Sequence, residues 1–133
     1  MEEIASGAPA AALWAGLNLL LFLVLSVEVT RQRRAHKIAV GDGGVEPVLR
    51  ASRAFGNAAE YIPAGLAVLA LLVVLDSPPL SVHLAGASLF IGRALHAFGM
   101  TRSTGVSLPR ALGMVFTWLF LIGAAVTLIF HTV

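Results

Sequence analysis

Arg50, Arg53, Asn57 and Glu60 are spaced i, i+3, i+7 and i+10. At about 100° per residue they share a sector of about 80° on one helix. Arg93 and His96 form a second polar pair one helical turn apart, and Arg110 stands alone further on. Glu28, Arg31, Arg33, Arg34 and Lys37 make a fourth group. Cations in this excess, with two glutamates among them, suit an anionic ligand with several polar groups. No pair of histidines has metal-ligand spacing, so no zinc or iron site is expected. The chain has no cysteine, so any sulfur chemistry must come from a ligand.

Each of these residues also has a plainer reading. Arg31, Arg33, Arg34 and Lys37 could anchor to lipid headgroups, and Arg50 could snorkel. Glu60 could pair with Arg53 or Arg93 as an intramembrane ion pair, and His96 alone would be an ordinary interfacial histidine. Gly41-Asp-Gly-Gly44 has the glycines of a phosphate cradle. No strand precedes it and no Gly-Lys-Ser ending follows, so it reads as a turn.

The elements that must position these residues are membrane helices. Of the 133 residues, 58% are hydrophobic and 12% charged, against roughly 25% charged in an average soluble domain. Four apolar stretches stand out, at ~9–30, ~50–75, ~80–100 and ~110–131. Each is long enough at ~1.5 Å per residue to cross most of a ~30 Å hydrocarbon core. Lipid cannot satisfy free backbone groups and no strand alternation is present, which predicts an all-α, up-down four-helix bundle in a single domain. The first stretch is expected to remain uncleaved, because Glu2 and Glu3 replace the basic start of a signal peptide. Ala11, Ala12, Ala15 and Gly16 in the first span, and Gly113 and Gly123 in the fourth, suit close helix packing.

All nine Lys and Arg residues lie in or beside the first and third loops. The first residues, the Asp76-Ser-Pro-Pro79 turn and the His131-Thr-Val133 tail have none. The positive-inside rule puts the basic loops in the cytoplasm and both termini outside. No extended basic face with interleaved aromatics exists, so nucleic acid is not an expected partner. Asn57 and Glu60 lie one to two turns into the second span. A charge there costs about 2.5–3.5 kcal/mol, so it must face protein or a water-filled cavity. With alternating helix directions all the polar groups collect at one end, which predicts a mainly cationic pocket near the cytoplasmic interface.

Arg50-x-x-Arg53-x-x-x-Asn57-x-x-Glu60-x-x-Pro63 resembles the second-helix signature of the MAPEG family, the membrane-associated proteins of eicosanoid and glutathione metabolism. Gly92-Arg93-Ala-Leu-His96 resembles its third-helix motif, and Gly41-Asp42 and Arg110 after Pro109 also fit. The resemblance covers nearly the whole chain. It implies a homotrimer that binds glutathione between subunits. By that match Arg53, Asn57 and Glu60 would hold the tripeptide, with Glu60 accepting from its amino group. Arg50, Arg93 and His96 would join or support them. One of Arg31, Arg33 or Arg34 would meet a carboxylate, and Arg110 would face the sulfur.

The chemistry agrees with that implication. Glutathione carries two carboxylates and one ammonium, and arginine binds carboxylates bidentately. A cation ~4 Å from sulfur contributes about 4 kcal/mol at an effective dielectric of ~20. Lowering a thiol pKa by two units needs about 2.7 kcal/mol, so one arginine is enough to supply a thiolate nucleophile. Ala111 stands where the resembled prostaglandin synthase has a serine. Met114 and Met100 stand where tyrosines are found. The hydroxyl partners are missing, so a simple lipophilic electrophile or hydroperoxide is expected as substrate.

The expected function is therefore a membrane glutathione transferase or peroxidase acting on a lipophilic small molecule. One alternative is a non-catalytic glutathione- or lipid-binding protein. Another is a small proton-coupled efflux transporter, against which stand the one-sided basic bias and the distance of Glu28 and Glu60 from mid-membrane.

Overall fold

The computed structural model describes residues 6–133, so Glu2 and Glu3 lie outside the described residues. It consists of α1 (Ala8–Ala35), α2 (Glu46–Val74), α3 (Pro79–Arg102) and α4 (Leu108–Phe130). Each helix has a proline in its first turn. Proline suits that place because the backbone N–H it lacks has no intrahelical partner there. Pro63 is the exception, inside α2, where it leaves the Ala59 carbonyl without its usual donor.

The helices outrun the apolar stretches at the basic end, because charged residues there stay helical through local pairs. Arg31 donates to both carboxylate oxygens of Glu28 at 2.7 Å. Arg50 donates to Glu46 at 2.7 Å, which starts α2 a turn before the apolar stretch. The first loop is thereby shortened to residues 36–45. Both α1 and α2 stop in the same way. After α1, Ile38 N–H bonds to the Arg33 carbonyl and Lys37 N–H to that of Arg34. After α2, Ser77 N–H bonds to Leu72 and Asp76 N–H to Val73. These are Schellman closures, with Lys37 and Asp76 left-handed. Gly41-Asp-Gly-Gly44 is a turn: Asp42 Oδ1 accepts from Gly44 N–H at 2.8 Å.

Successive helices run antiparallel. Residues from the start of α1 and α3 and the end of α2 and α4 meet in one apolar cluster, Ala10, Leu69, Leu72, Val82, Leu89, Phe120 and Ala124. Leu25, Ala54, Ala58, Ile62, Ala97 and Met100 form a second cluster towards the basic end. α2 and α3 each touch the other three helices, with the broadest packing between α3 and α4, whereas α1 and α4 do not touch. By length and composition α1, α2 and α4 are apolar enough to cross a membrane. α3 is long enough but less apolar, since it carries His83, Arg93 and His96. Arg93 and His96 are buried by its neighbours. The molecule is an all-α membrane bundle.

The expected small-residue packing is real at Gly113 and absent at Gly16 and Gly123, which face open space within a single chain. α3 approaches α4 so closely that a Cβ at Gly92 would lie 2.8 Å from Thr117 Oγ1. Glycine is required there for room, not for backbone freedom.

Candidate functional site

The polar residues do not form one pocket within a single chain. They fall into three places.

The first is a cleft of about 230 Å³ between the start of α2 and the α3–α4 connection, residues 103–107. Arg50, Arg53 and Arg110 line it, with Met100, Ser103 and Thr104. Among the described residues, no carboxylate lines it. Arg50 is partly neutralised by Glu46, while Arg53 is exposed and has no ion pair among the described residues. Arg110 is held by its loop: Nη1 donates to the Gly105 carbonyl at 2.7 Å and to that of Thr104 at 3.1 Å. Gly99 allows this seat, because a Cβ there would lie 2.8 Å from Arg110 Cγ. Carbonyls leave the full positive charge of Arg110 in place, so the cleft is strongly cationic and suits an anion.

The second place is the interior, where Arg93 is 1% exposed. Its Nε–H and Nη2–H both donate to Thr117 Oγ1, at 3.0 and 2.8 Å. Nη2 also donates to Met114 Sδ at 3.2 Å, and Nη1 donates to Asn57 Oδ1. The Tyr61 ring lies over the guanidinium, 4.6 Å from its centroid, a cation–π contact. Arg93 therefore braces the second-helix signature from behind. His96 is buried beside it where α3 crosses α4, with its backbone against Gly113. Asn57 is half-buried and Glu60 is exposed on the outer flank of α2. Glu60 has no ion pair with Arg53, Arg93 or any other cation among the described residues.

The third place is the end of α1. Arg31 is paired with Glu28. Arg34 lines an open hollow with Thr30, Arg33, Lys37, Ile38 and Ala39, separate from the α2–α4 cleft. The α1 arginines thus share the basic end with the cleft but not its walls.

Sequence reasoning missed Thr117, Ser103 and Thr104. A partial signal for Thr117 existed: it is one of two hydroxyls in α4, each one turn after a glycine, and it donates to the Gly113 carbonyl at 2.8 Å as Thr127 does to that of Gly123. Met114 was singled out only for what it replaces, yet its sulfur accepts from Arg93. Among the described residues, no group of three or more His, Cys, Asp or Glu could hold a metal.

The chain resembles known proteins along most of its length. It is 35% identical over 107 residues to the Inner membrane protein YecN of Escherichia coli strain K12, covering 80% of each chain. The same-named protein of Escherichia coli O6:H1 matches equally. The model of the MAPEG family matches residues 11–130, a stretch that takes in the arginine cleft, the braced Asn57, the whole of α2, α3 and α4 and all but the first residues of α1. With its signature residues and its bundle both in that stretch, the chain belongs to the MAPEG family, integral membrane proteins of the glutathione and eicosanoid metabolism kind.

Proposed function

We propose that this protein is a glutathione-dependent membrane transferase or peroxidase. The observation that carries this reading is the cleft that gathers Arg50, Arg53 and Arg110 with no carboxylate in its walls among the described residues. In this reading Arg53, Asn57 and Glu60 hold the tripeptide, and Glu60 accepts from its ammonium. Arg110 faces the sulfur and keeps it as a thiolate. The thiolate attacks a lipophilic electrophile or hydroperoxide that arrives through the bilayer.

The same flank of α2 supports assembly as a homotrimer. Glu60 is about 21 Å from the outer end of α2 at ~1.5 Å per residue, well inside a ~30 Å core. An exposed carboxylate inside the core is unfavourable, by up to about 2.5–3.5 kcal/mol at the helix centre and less towards the edge. A neighbouring subunit covers it, and brings its own Arg31 or Arg34 towards a ligand carboxylate. The exposed alanines Ala64, Ala67 and Ala70 continue the flank and suit close packing. The basic end faces the cytoplasm and both termini lie outside.

A non-catalytic glutathione binder is the second reading. It is favoured by Met100 and Met114, which put thioethers where a hydroxyl would assist the sulfur. Titrating the purified protein with glutathione while following thiolate ultraviolet absorbance decides between them. A saturable thiolate signal and conjugation of a model electrophile are expected. Saturable binding without that signal selects the binder, and no binding removes both.

A further inference from the structure

Thr117 uses every hydrogen-bonding position of its hydroxyl. It donates to the Gly113 carbonyl at 2.8 Å. Its two lone pairs accept from Arg93 Nε–H at 3.0 Å and Nη2–H at 2.8 Å. Arg93 then gives Nη2's other hydrogen to Met114 Sδ and one Nη1 hydrogen to Asn57 Oδ1. Four of the five guanidinium N–H groups are thereby spent inside the protein. Arg93 has no free fork to offer a ligand carboxylate.

The lock has a consequence at Asn57. A guanidinium can only donate, so the oxygen of the Asn57 carboxamide must face Arg93 and its NH2 must face away. Arg93 and Thr117 are 1% and 0% exposed, whereas Asn57 is half-buried. Glycine at position 92 lets Thr117 come this close, and the Tyr61 ring covers the guanidinium. The orientation of Asn57 is therefore set two residues away, on a different helix.

We infer that Thr117 is a positioning residue that acts through Arg93 to present Asn57 to its ligand as a hydrogen-bond donor. The ligand atom received there is an acceptor, a carbonyl or carboxylate oxygen. The inference rests on the glutathione reading for the ligand and for its contact at Asn57, but not for the Thr117–Arg93–Asn57 chain itself.

The test uses Thr117→Val, which keeps the shape and removes the hydroxyl, and Thr117→Ser, which keeps the hydroxyl. Nitrogen-15 spectra in nanodiscs should show a slowly exchanging Arg93 Nε–H in wild type and Thr117→Ser. In Thr117→Val that signal is lost and the Asn57 carboxamide signals shift. Glutathione affinity should fall about tenfold in Thr117→Val, the loss of one well-placed hydrogen bond, and return in Thr117→Ser. At saturation the thiolate signal should be unchanged, since Arg110 is untouched. In an Asn57→Ala background the Thr117→Val effect on affinity should vanish, which a general loss of stability would not do. Unmoved Arg93 and Asn57 signals, or an undiminished effect in that background, overturn the inference.

Asn57→Asp covers the case in which Thr117→Val does not assemble. It pairs Arg93 with a carboxylate and turns an acceptor outward, so glutathione binding should be lost while the thermal midpoint is kept. Wild-type affinity in Asn57→Asp overturns the inference. If wild type binds no glutathione while the spectra still follow Thr117, the positioning stands and only the functional reading falls.

Discussion

Gly113 on α4 sits directly against His96 on α3: a Cβ at Gly113 would lie 2.5 Å from the His96 backbone nitrogen and 2.7 Å from its Cβ. The nearest atoms are backbone, which cannot swing aside. The α3–α4 crossing, and with it the seat of Arg93, therefore depends on this hydrogen-sized side chain together with that of Gly92.

Gly113→Ala should destabilise the bundle by about 1–3 kcal/mol, the usual cost of overpacking a tight interface. Thermal melting in mild detergent checks this. Gly123→Ala is the control, since nothing lies within 4 Å of its Cβ in a single chain. An equal loss in both variants would mean that Gly123 meets a neighbouring subunit.

Binding and chemistry should separate between Glu60 and Arg110. Glu60→Ala removes a charge-assisted hydrogen bond worth roughly 1.5–3 kcal/mol, so glutathione affinity should fall about ten- to hundredfold. Arg110→Ala should keep much of the affinity and lose the thiolate signal and turnover, an effect on the chemical step. Calorimetry and thiolate absorbance on both variants distinguish these outcomes. Full turnover in Arg110→Ala would sink the assigned mechanism.

Glu46 restrains Arg50 at the edge of the cleft through a 2.7 Å bond. The Glu46 side chain is 59% exposed, so Glu46→Gln should change stability by less than about 1 kcal/mol. Released from its counter-ion, Arg50 makes the cleft more cationic, and glutathione affinity should rise about twofold at low salt. An affinity that falls would place Glu46 itself among the ligand contacts.

A reporter fused after Val133 should be active only if it is of a type that works outside the cytoplasm. The basic loops, 36–45 and 103–107 with their flanking arginines, lie at the opposite end from that tail. Cytoplasmic activity from such a fusion would invert the orientation and move the cleft to the other side of the membrane.

Oligomeric state is measurable by native mass spectrometry or crosslinking in several mild detergents, where three chains are expected. A monomer throughout would leave Glu60 facing lipid with no partner and would count against an intersubunit site.

Much of this protein is readable from composition and spacing alone. The four helices follow from apolar run length, because lipid leaves the backbone no other way to satisfy itself. The prolines in each first turn, the Asp76-Ser-Pro-Pro79 break and the turn at Gly41–Gly44 are local signals that the fold obeys. The family was equally legible, since its second- and third-helix signatures are short stretches of one chain. Depth and direction of each polar residue also follow from helix geometry.

Partnership does not. Glu60, Arg53 and Arg93 are within reach of one another by type, and their charges suggest an ion pair. The structure instead gives Arg93 to Thr117, Asn57 and Met114 and leaves Glu60 outside. That choice is made by the α3–α4 crossing at Gly92 and Gly113, which brings a neutral hydroxyl from a distant helix to the guanidinium. Likewise Arg50, Arg53 and Arg110 share a cleft while Arg34 does not, because α1 and α4 never touch. A one-dimensional pattern states which face of a helix is polar. Which helix meets that face is decided only by how the small residues let the backbones pack.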